Sequence, residues 1–281
     1  MIRVLAAGPL TTVQDLGRPG WAHLGVPPSG ALDTGALRLA NRLVGNPESA
    51  AGLEVTFGGL AVQPSAPVWI ALTGAPAALT VGGRPAALYA PVPVPAGARV
   101  AVGTPVEGVR SYLAVAGGIA VPPVLGSRAT DVLSGLGPAP LSTGDCLPLG
   151  AATGPPSTVD SAPAWPPANG PLRLYPGPRA DWFTEGALEL LTGNAYQVSV
   201  DSNRIGARLT GPVLHRRRTG ELPSEGLVTG AVQIPASGQP VVFLADHPTT
   251  GGYPVIGVLD PRDLAAAAQA RPGSHLRFRI G

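Results

Sequence analysis

No lysine occurs anywhere in the 281 residues; all 19 basic side chains are arginine. A chain of this kind has no carrier lysine for covalent biotin, forms no Schiff base and supplies no lysine to a phosphate-cradling P-loop. Cysteine is nearly as scarce: the single Cys146 excludes an internal disulfide framework and any multi-cysteine metal site. The four histidines (His23, His215, His247, His275) stand at no ligand spacing, so no metal is expected. Aromatic residues make up 5% and charged residues 13%, and the net charge is only +2. That balance gives no electrostatic case for nucleic acid or an anionic membrane, and Arg216-Arg-Arg218 reads as a solvated loop. No apolar run approaches the ~20 residues that span a bilayer. The start, Met1-Ile-Arg-Val-Leu-Ala-Ala-Gly8, is interrupted too early for a secretory signal, so a soluble cytoplasmic protein is expected. Gly-x-Ser-x-Gly, His-Glu-x-x-His, paired Cys-x-x-Cys and Gly-x-x-x-x-Gly-Lys patterns are all absent, which removes the usual serine hydrolase, zincin, zinc-finger and P-loop readings.

Glycine (39) and proline (34) are abundant, yet 44% of the chain is apolar and arranged in strand-length blocks such as Val241-Val-Phe-Leu-Ala245. Glycine and proline therefore read as the turns of a mainly β fold, with an antiparallel or mixed sheet in two lobes. The lobes are placed at 1–150 and 172–281, joined by an extended connection over 151–171 that holds six prolines. Helices are few. One is expected over 33–44, capped by Asp33, with Leu37, Ala40 and Val44 on one stripe and Gly45-Asn-Pro47 as its stop. Others are expected over 185–191 and 262–270. Leu276-Arg-Phe-Arg-Ile280 alternates as a half-buried strand should.

Polar side chains with chemical potential concentrate between residues 201 and 254, at the ends of short apolar runs where loops carry function. Asp15, Asp33, Glu54, Glu225 and Asp246 are the carboxylates that burial or a neighbour can tune for proton transfer. Asp33 has the alternative role of helix cap, Glu54 of an arginine partner, and Asp15 of a brace for the Gly17-Arg-Pro-Gly20 turn. Glu225 and Asp246 stand out because each ends an apolar segment or begins a glycine-rich loop. His247, beside Asp246, is a second proton-transfer candidate or a packed loop residue. Gly251-Gly252 reads as a tight turn or a close backbone approach whose amides could bind an oxyanion or phosphate, and arginine forks suit carboxylate or phosphate.

Several motifs in one register then become recognisable: Thr11-Thr-Val-Gln-Asp-Leu-Gly-Arg-Pro-Gly20, Gly25-Val-Pro-Pro-Ser-Gly-Ala-Leu-Asp33, Asn41-Arg-Leu-Val-Gly-Asn46, Tyr112-Leu-Ala-Val-Ala-Gly-Gly118, Gly126-Ser-Arg128, Ser202-Asn-Arg-Ile-Gly-Ala-Arg-Leu209, Ser224-Glu-Gly226 and Thr249-Thr-Gly-Gly-Tyr-Pro254. Together they resemble the 5-oxoprolinase C-subunit family, also called allophanate hydrolase subunit 2, and the biotin-dependent carboxyltransferase half of urea carboxylase. The resemblance runs over nearly the whole chain. It implies a cyclophilin-like β-barrel architecture and an obligate partner of the B-subunit family, the kinase-inhibitor-like or allophanate hydrolase subunit 1 proteins, with an A subunit as a further partner. It also implies ATP use by the assembled complex on a small amide substrate, without a P-loop in this chain.

Three activities are known in such proteins: ATP-dependent opening of 5-oxoproline to glutamate, carboxyl transfer from carboxybiotin, and antagonism of a kinase inhibitor. The first is the leading expectation. It assigns Glu225 or Asp246 to activate water, Gly251 and Gly252 to hold the oxyanion, and Arg204 or Arg208 to hold the substrate carboxylate. Arg18, Asn203, Ser224 and Tyr253 complete the expected substrate-binding set. For carboxyl transfer, Asp246, Gln233 and Thr250 are the candidates. One departure from the family pattern stands out: His247-Pro248 replaces Arg-Gln and Val255 replaces Lys, which removes two positive charges from this loop.

Overall fold

The computed structural model describes every residue except 160, 164–169, 219 and 221. The expected connection at 151–171 thus lies partly outside the described residues. The chain divides into two compact units: Met1–Arg18 with Ser29–Pro166, and Pro19–Pro28 with Pro167–Gly281.

Among the described residues the first unit holds eleven strands: β1 (Ile2–Ala7), β2 (Leu10–Gln14), β3 (Gly52–Thr56), β4 (Leu60–Pro64), β5 (Val68–Gly74), β6 (Ala77–Val81), β7 (Arg84–Ala86), β8 (Val92–Val94), β9 (Val100–Pro105), β10 (Arg110–Val115) and β11 (Cys146–Leu147). They form a six-stranded sheet, β11-β1-β4-β9-β6-β7, and a five-stranded sheet, β2-β3-β10-β5-β8. Residues at every second position face a common core: Ile2 and Val4, Val100 and Val102 from one sheet, Leu53 and Val55, Leu113 and Val115 from the other. Each such side chain contributes about 1.5–3 kcal/mol by leaving water. The intervening residues of β10, Tyr112 and Ala114, face the opposite way and meet α1 (Thr34–Leu43) through Leu37, Ala40 and Leu43. The unbroken burial of β10, and its apolar run Tyr112-Leu-Ala-Val115, are thereby explained, because both of its faces are covered. Helix α1 starts where its cap predicts: the Asp33 carboxylate accepts from the Ala36 amide at 3.0 Å.

The second unit is a closed barrel. Strands β12 (Leu172–Pro176), β13 (Ala195–Val198), β14 (Gly206–Thr210), β16 (Ala231–Gln233), β17 (Val241–Phe243), β19 (Val255–Leu259) and β20 (His275–Ile280) follow the order β12-β19-β16-β17-β14-β13-β20. The β12–β20 pair that shuts the ring is parallel and the other six are antiparallel. A separate two-stranded ribbon pairs β15 (Glu225–Gly226) with β18 (Thr250–Gly251). Among the described residues two short helices accompany the barrel, α2 (Ala187–Gly193) and α3 (Leu264–Gln269). The β-rich class is as the sequence indicates, with the barrel confined to this unit and stacked open sheets in the other. Helix α2 begins two residues later than expected because Gly186 adopts a left-handed conformation, φ 80°, which no helical residue shares. Among the described residues no helix is long and apolar enough to cross a membrane.

Ion pairs pin β12 to the turn before α3. The Arg173 amide and Nε donate to Asp263 Oδ2 at 2.7 and 2.8 Å, and Nη2 donates to Oδ1 at 2.7 Å. Asp260 accepts from the Arg262 amide and Nε at 2.9 Å each. The Arg173 hydrogen bonds hold the Asp263 carboxyl below its ordinary value, and those from Arg262 do the same for Asp260. Both folded values lie below the unfolded ones, so this stabilisation is complete above about pH 4 and is lost as pH falls through the depressed values. Urea unfolding at pH 7 and pH 3 is therefore expected to show a smaller gap in Asp263→Asn than in the parent chain. An equal gap would show that Asp263 does not carry the acid sensitivity of the fold.

Candidate functional site

The ribbon of β15 and β18 brings together two motifs that lie 25 positions apart. Glu225 pairs with Gly251 and Gly226 with Thr250, and the Leu227 amide donates to the Thr249 carbonyl at 2.9 Å. Beside the ribbon opens a cavity of about 210 Å³, lined by Glu225, Gly226, Leu227, Gly251, Tyr253 and Val255 among others. Its wall is mostly apolar, since Leu227 packs with Ala231, Phe243 and Val255. A Cβ at Gly251 would lie 2.8 Å from Leu227 Cδ1 and 2.9 Å from Gln233 Nε2, so the ends of both side chains would have to shift to admit one.

Among the described residues one carboxylate lines this space. Glu225, partly exposed, is gripped by Arg179, whose Nε donates to both carboxylate oxygens at 3.0 Å while Nη2 donates to Oε1. The Arg179 hydrogen bonds hold the Glu225 carboxyl below its usual range, so it is ionised at neutral pH. Arg179 follows Pro178, another lining residue, in the turn that leaves β12. A second cation stands against the opposite motif: the Arg216 guanidinium lies 5.3 Å from the Tyr253 ring centroid and donates through Nη2 to the Ile234 carbonyl. Neither Arg179 nor Arg216 belongs to the site as read from the sequence. The only local sign of the first is its place just after a strand end, and of the second its place in a run of three arginines.

Gln233 is buried on β16 and donates from Nε2 to the Tyr253 carbonyl at 3.0 Å, which fixes the loop after β18. Ser224, Thr250 and Gly252 are exposed. Val255 sits in the cavity wall, so the missing loop lysine leaves that wall apolar.

Arg204 and Asp246 form a different feature. Their side chains are 0% exposed and bound edge to edge, Nε to Oδ2 at 2.9 Å and Nη2 to Oδ1 at 3.0 Å. The Asp246 amide also donates to the Arg204 carbonyl at 3.1 Å. The two side chains are buried against each other, and neither lines the cavity. His247 is likewise buried, with Nδ1 2.8 Å from the Pro248 carbonyl. Asn203 serves its own turn, its Oδ1 accepting from the Ile205 and Gly206 amides at 2.8 and 3.3 Å. Arg208 is exposed on β14, and Arg18 belongs to the first unit. The structure thus gathers Glu225, Gly251, Tyr253 and Gln233 and leaves Arg18, Arg204, Arg208 and Asp246 out of the cavity lining.

The model of the carboxyltransferase domain, subdomain A and B, matches residues 24–280. The chain is 41% identical to the 5-oxoprolinase C subunit of Escherichia coli over 99% of its own length and 90% of the relative. It is 33% identical to the protein of the same name from Haemophilus influenzae, with the same coverage. The crystal structure of Kluyveromyces lactis urea amidolyase superposes with a TM-score of 0.92 at 30% identity; the match takes in 99% of this chain and 18% of that far longer one. With its barrel, its ribbon and a match that leaves out only 24 residues, the chain belongs to the carboxyltransferase domain family, subdomain A and B.

Proposed function

We propose that this chain is the C subunit of a heteromeric, ATP-dependent 5-oxoprolinase and takes part in hydrolysing 5-oxoproline to glutamate. The observation that carries the reading is 41% identity, along 90% of its length, to a relative bearing that name. The cavity suits the chemistry. A lactam resists water because its carbonyl is resonance-stabilised; transfer of the ATP γ-phosphoryl group to the carbonyl oxygen weakens that resonance. Water then adds to the carbonyl carbon, the ring C–N bond opens with a proton delivered to nitrogen, and a second water hydrolyses the resulting acyl phosphate to release phosphate and glutamate.

In this reading Leu227 and Val255 receive the ring methylenes, and Glu225 takes the proton from the attacking water. The grip of Arg179 makes Glu225 a weak base in the free protein. An arriving substrate carboxylate gives Arg179 a second acceptor, and each N–H that turns to it releases Glu225 toward a more useful basicity. Arg216, stacked on Tyr253, is the second carboxylate receptor. The two arginines replace the charge that the loop lacks at 247 and 255. ATP is bound by partners, a B-subunit homologue of the kinase-inhibitor-like family and an A subunit.

Arg216→Met is expected to raise the KM for 5-oxoproline about 10- to 100-fold with little change in kcat, since a charge-assisted contact to the carboxylate acts equally in ground and transition states. A drop in kcat at constant KM would move Arg216 out of the binding role. Association is tested by co-expression with the B-subunit homologue: a complex that survives gel filtration is expected, and two separate peaks would overturn the heteromeric reading. The similarity to urea amidolyase favours a second reading, a carboxyltransferase half-site served by a separate biotinylated carrier. Gln233 and Thr250 would then face the ureido group, and the carrier would co-purify with the chain. A non-catalytic role in restraining a kinase inhibitor would show instead as tight partner binding without turnover.

A further inference from the structure

Arg18 ends the first segment of the N-terminal unit and is 1% exposed. Its Nη2 donates to the Ala129 carbonyl, while Nε and Nη1 have no hydrogen-bond partner. Those two nitrogens carry three N–H donors. The adjacent acid does not serve them: Asp15 Oδ1 accepts from the Gly17 amide at 2.8 Å and the Ser127 hydroxyl at 2.6 Å, and Oδ2 accepts from the Arg128 amide at 2.6 Å. The next residue along, Thr130, has a buried hydroxyl without a partner. Gln14 donates from Nε2 to the Thr130 carbonyl at 2.8 Å, and its own Oε1 is a buried acceptor without a donor.

A guanidinium keeps its proton at any pH the fold survives, so burial does not neutralise it. An uncompensated buried charge is strongly destabilising, and a small anion brought into contact relieves it. We infer that Arg18 anchors a site for a small planar oxyanion in the first unit, with the Thr130 hydroxyl as a second donor. The unpartnered Gln14 Oε1 adds a preference for an oxyanion that carries its own O–H, as bicarbonate does, over a simple carboxylate such as acetate. The site is independent of the lactam reading and of the barrel cavity.

The test is the thermal midpoint of the full chain titrated with sodium bicarbonate or sodium acetate, with sodium chloride holding ionic strength constant. A ligand that binds only the folded state raises Tm with the logarithm of its concentration, by about 5–10 °C at a hundredfold excess over Kd. That rise is expected for the parent chain, larger with bicarbonate. Arg18→Met is expected to abolish it while melting, in oxyanion-free buffer, no lower than the parent, because an apolar replacement removes an uncompensated charge. Should Arg18→Met fail to fold, Thr130→Val is expected to shrink the rise. No rise in the parent chain with either salt, or the same rise in the Arg18→Met variant, would overturn the inference.

Discussion

Asp246→Ala is expected to lose about 3–5 kcal/mol of stability, a large share of what holds a domain folded. The reason is the state it leaves behind. Arg204 is 0% exposed, so removing the carboxylate that meets two of its nitrogens takes a two-point, charge-assisted partner away from a buried guanidinium. The backbone bond between the Asp246 amide and the Arg204 carbonyl ties the same two segments, so local order should fall with the ion pair. The double variant Arg204→Met with Asp246→Leu separates the explanations: replacing both charges by apolar groups of similar size is expected to recover most of the loss. Urea unfolding of the isolated chain measures both. A single variant as stable as the parent would show that the pair does not hold the barrel together.

Glu225→Gln in the assembled complex is expected to lower kcat by about 10²–10⁴-fold, the usual contribution of a positioned general base. The side chain is one-third exposed, so unfolding should barely change and the loss should be one of turnover. A pH profile separates chemistry from architecture. Arg179 depresses the Glu225 carboxyl, so Arg179→Met should move the acid limb of the rate profile to higher pH while Glu225→Gln erases it. An acid limb that ignores both substitutions would place the base elsewhere.

What a single sequence discloses here follows the range of the interactions. Helix α1 is legible because everything that makes it is local: a capping aspartate, an apolar stripe and a stop within a dozen residues. Strand β20 and the many short strands are legible for the same reason. The barrel's closure is not, because the parallel contact of β12 and β20 joins Leu172 to Phe278, and no pattern in either strand names its partner. The site shows the same division. Glu225, Gly251 and Tyr253 attract notice as motif residues, and the fold does place them around one cavity. Arg179 escapes notice because its meaning lies in a carboxylate 46 positions away. Arg204 and Asp246 look like site residues for the opposite reason: two charged groups in motif-rich loops read alike whether they meet a substrate or each other, and only the 42-residue contact decides.

The most direct test of the proposed activity is glutamate release from 5-oxoproline and ATP by this chain with its A- and B-type partners, each omitted in turn. Glutamate is expected from the complete mixture and none when this chain is left out. Full activity without this chain, or no glutamate from a complete mixture whose components are folded and associated, would contradict the oxoprolinase reading.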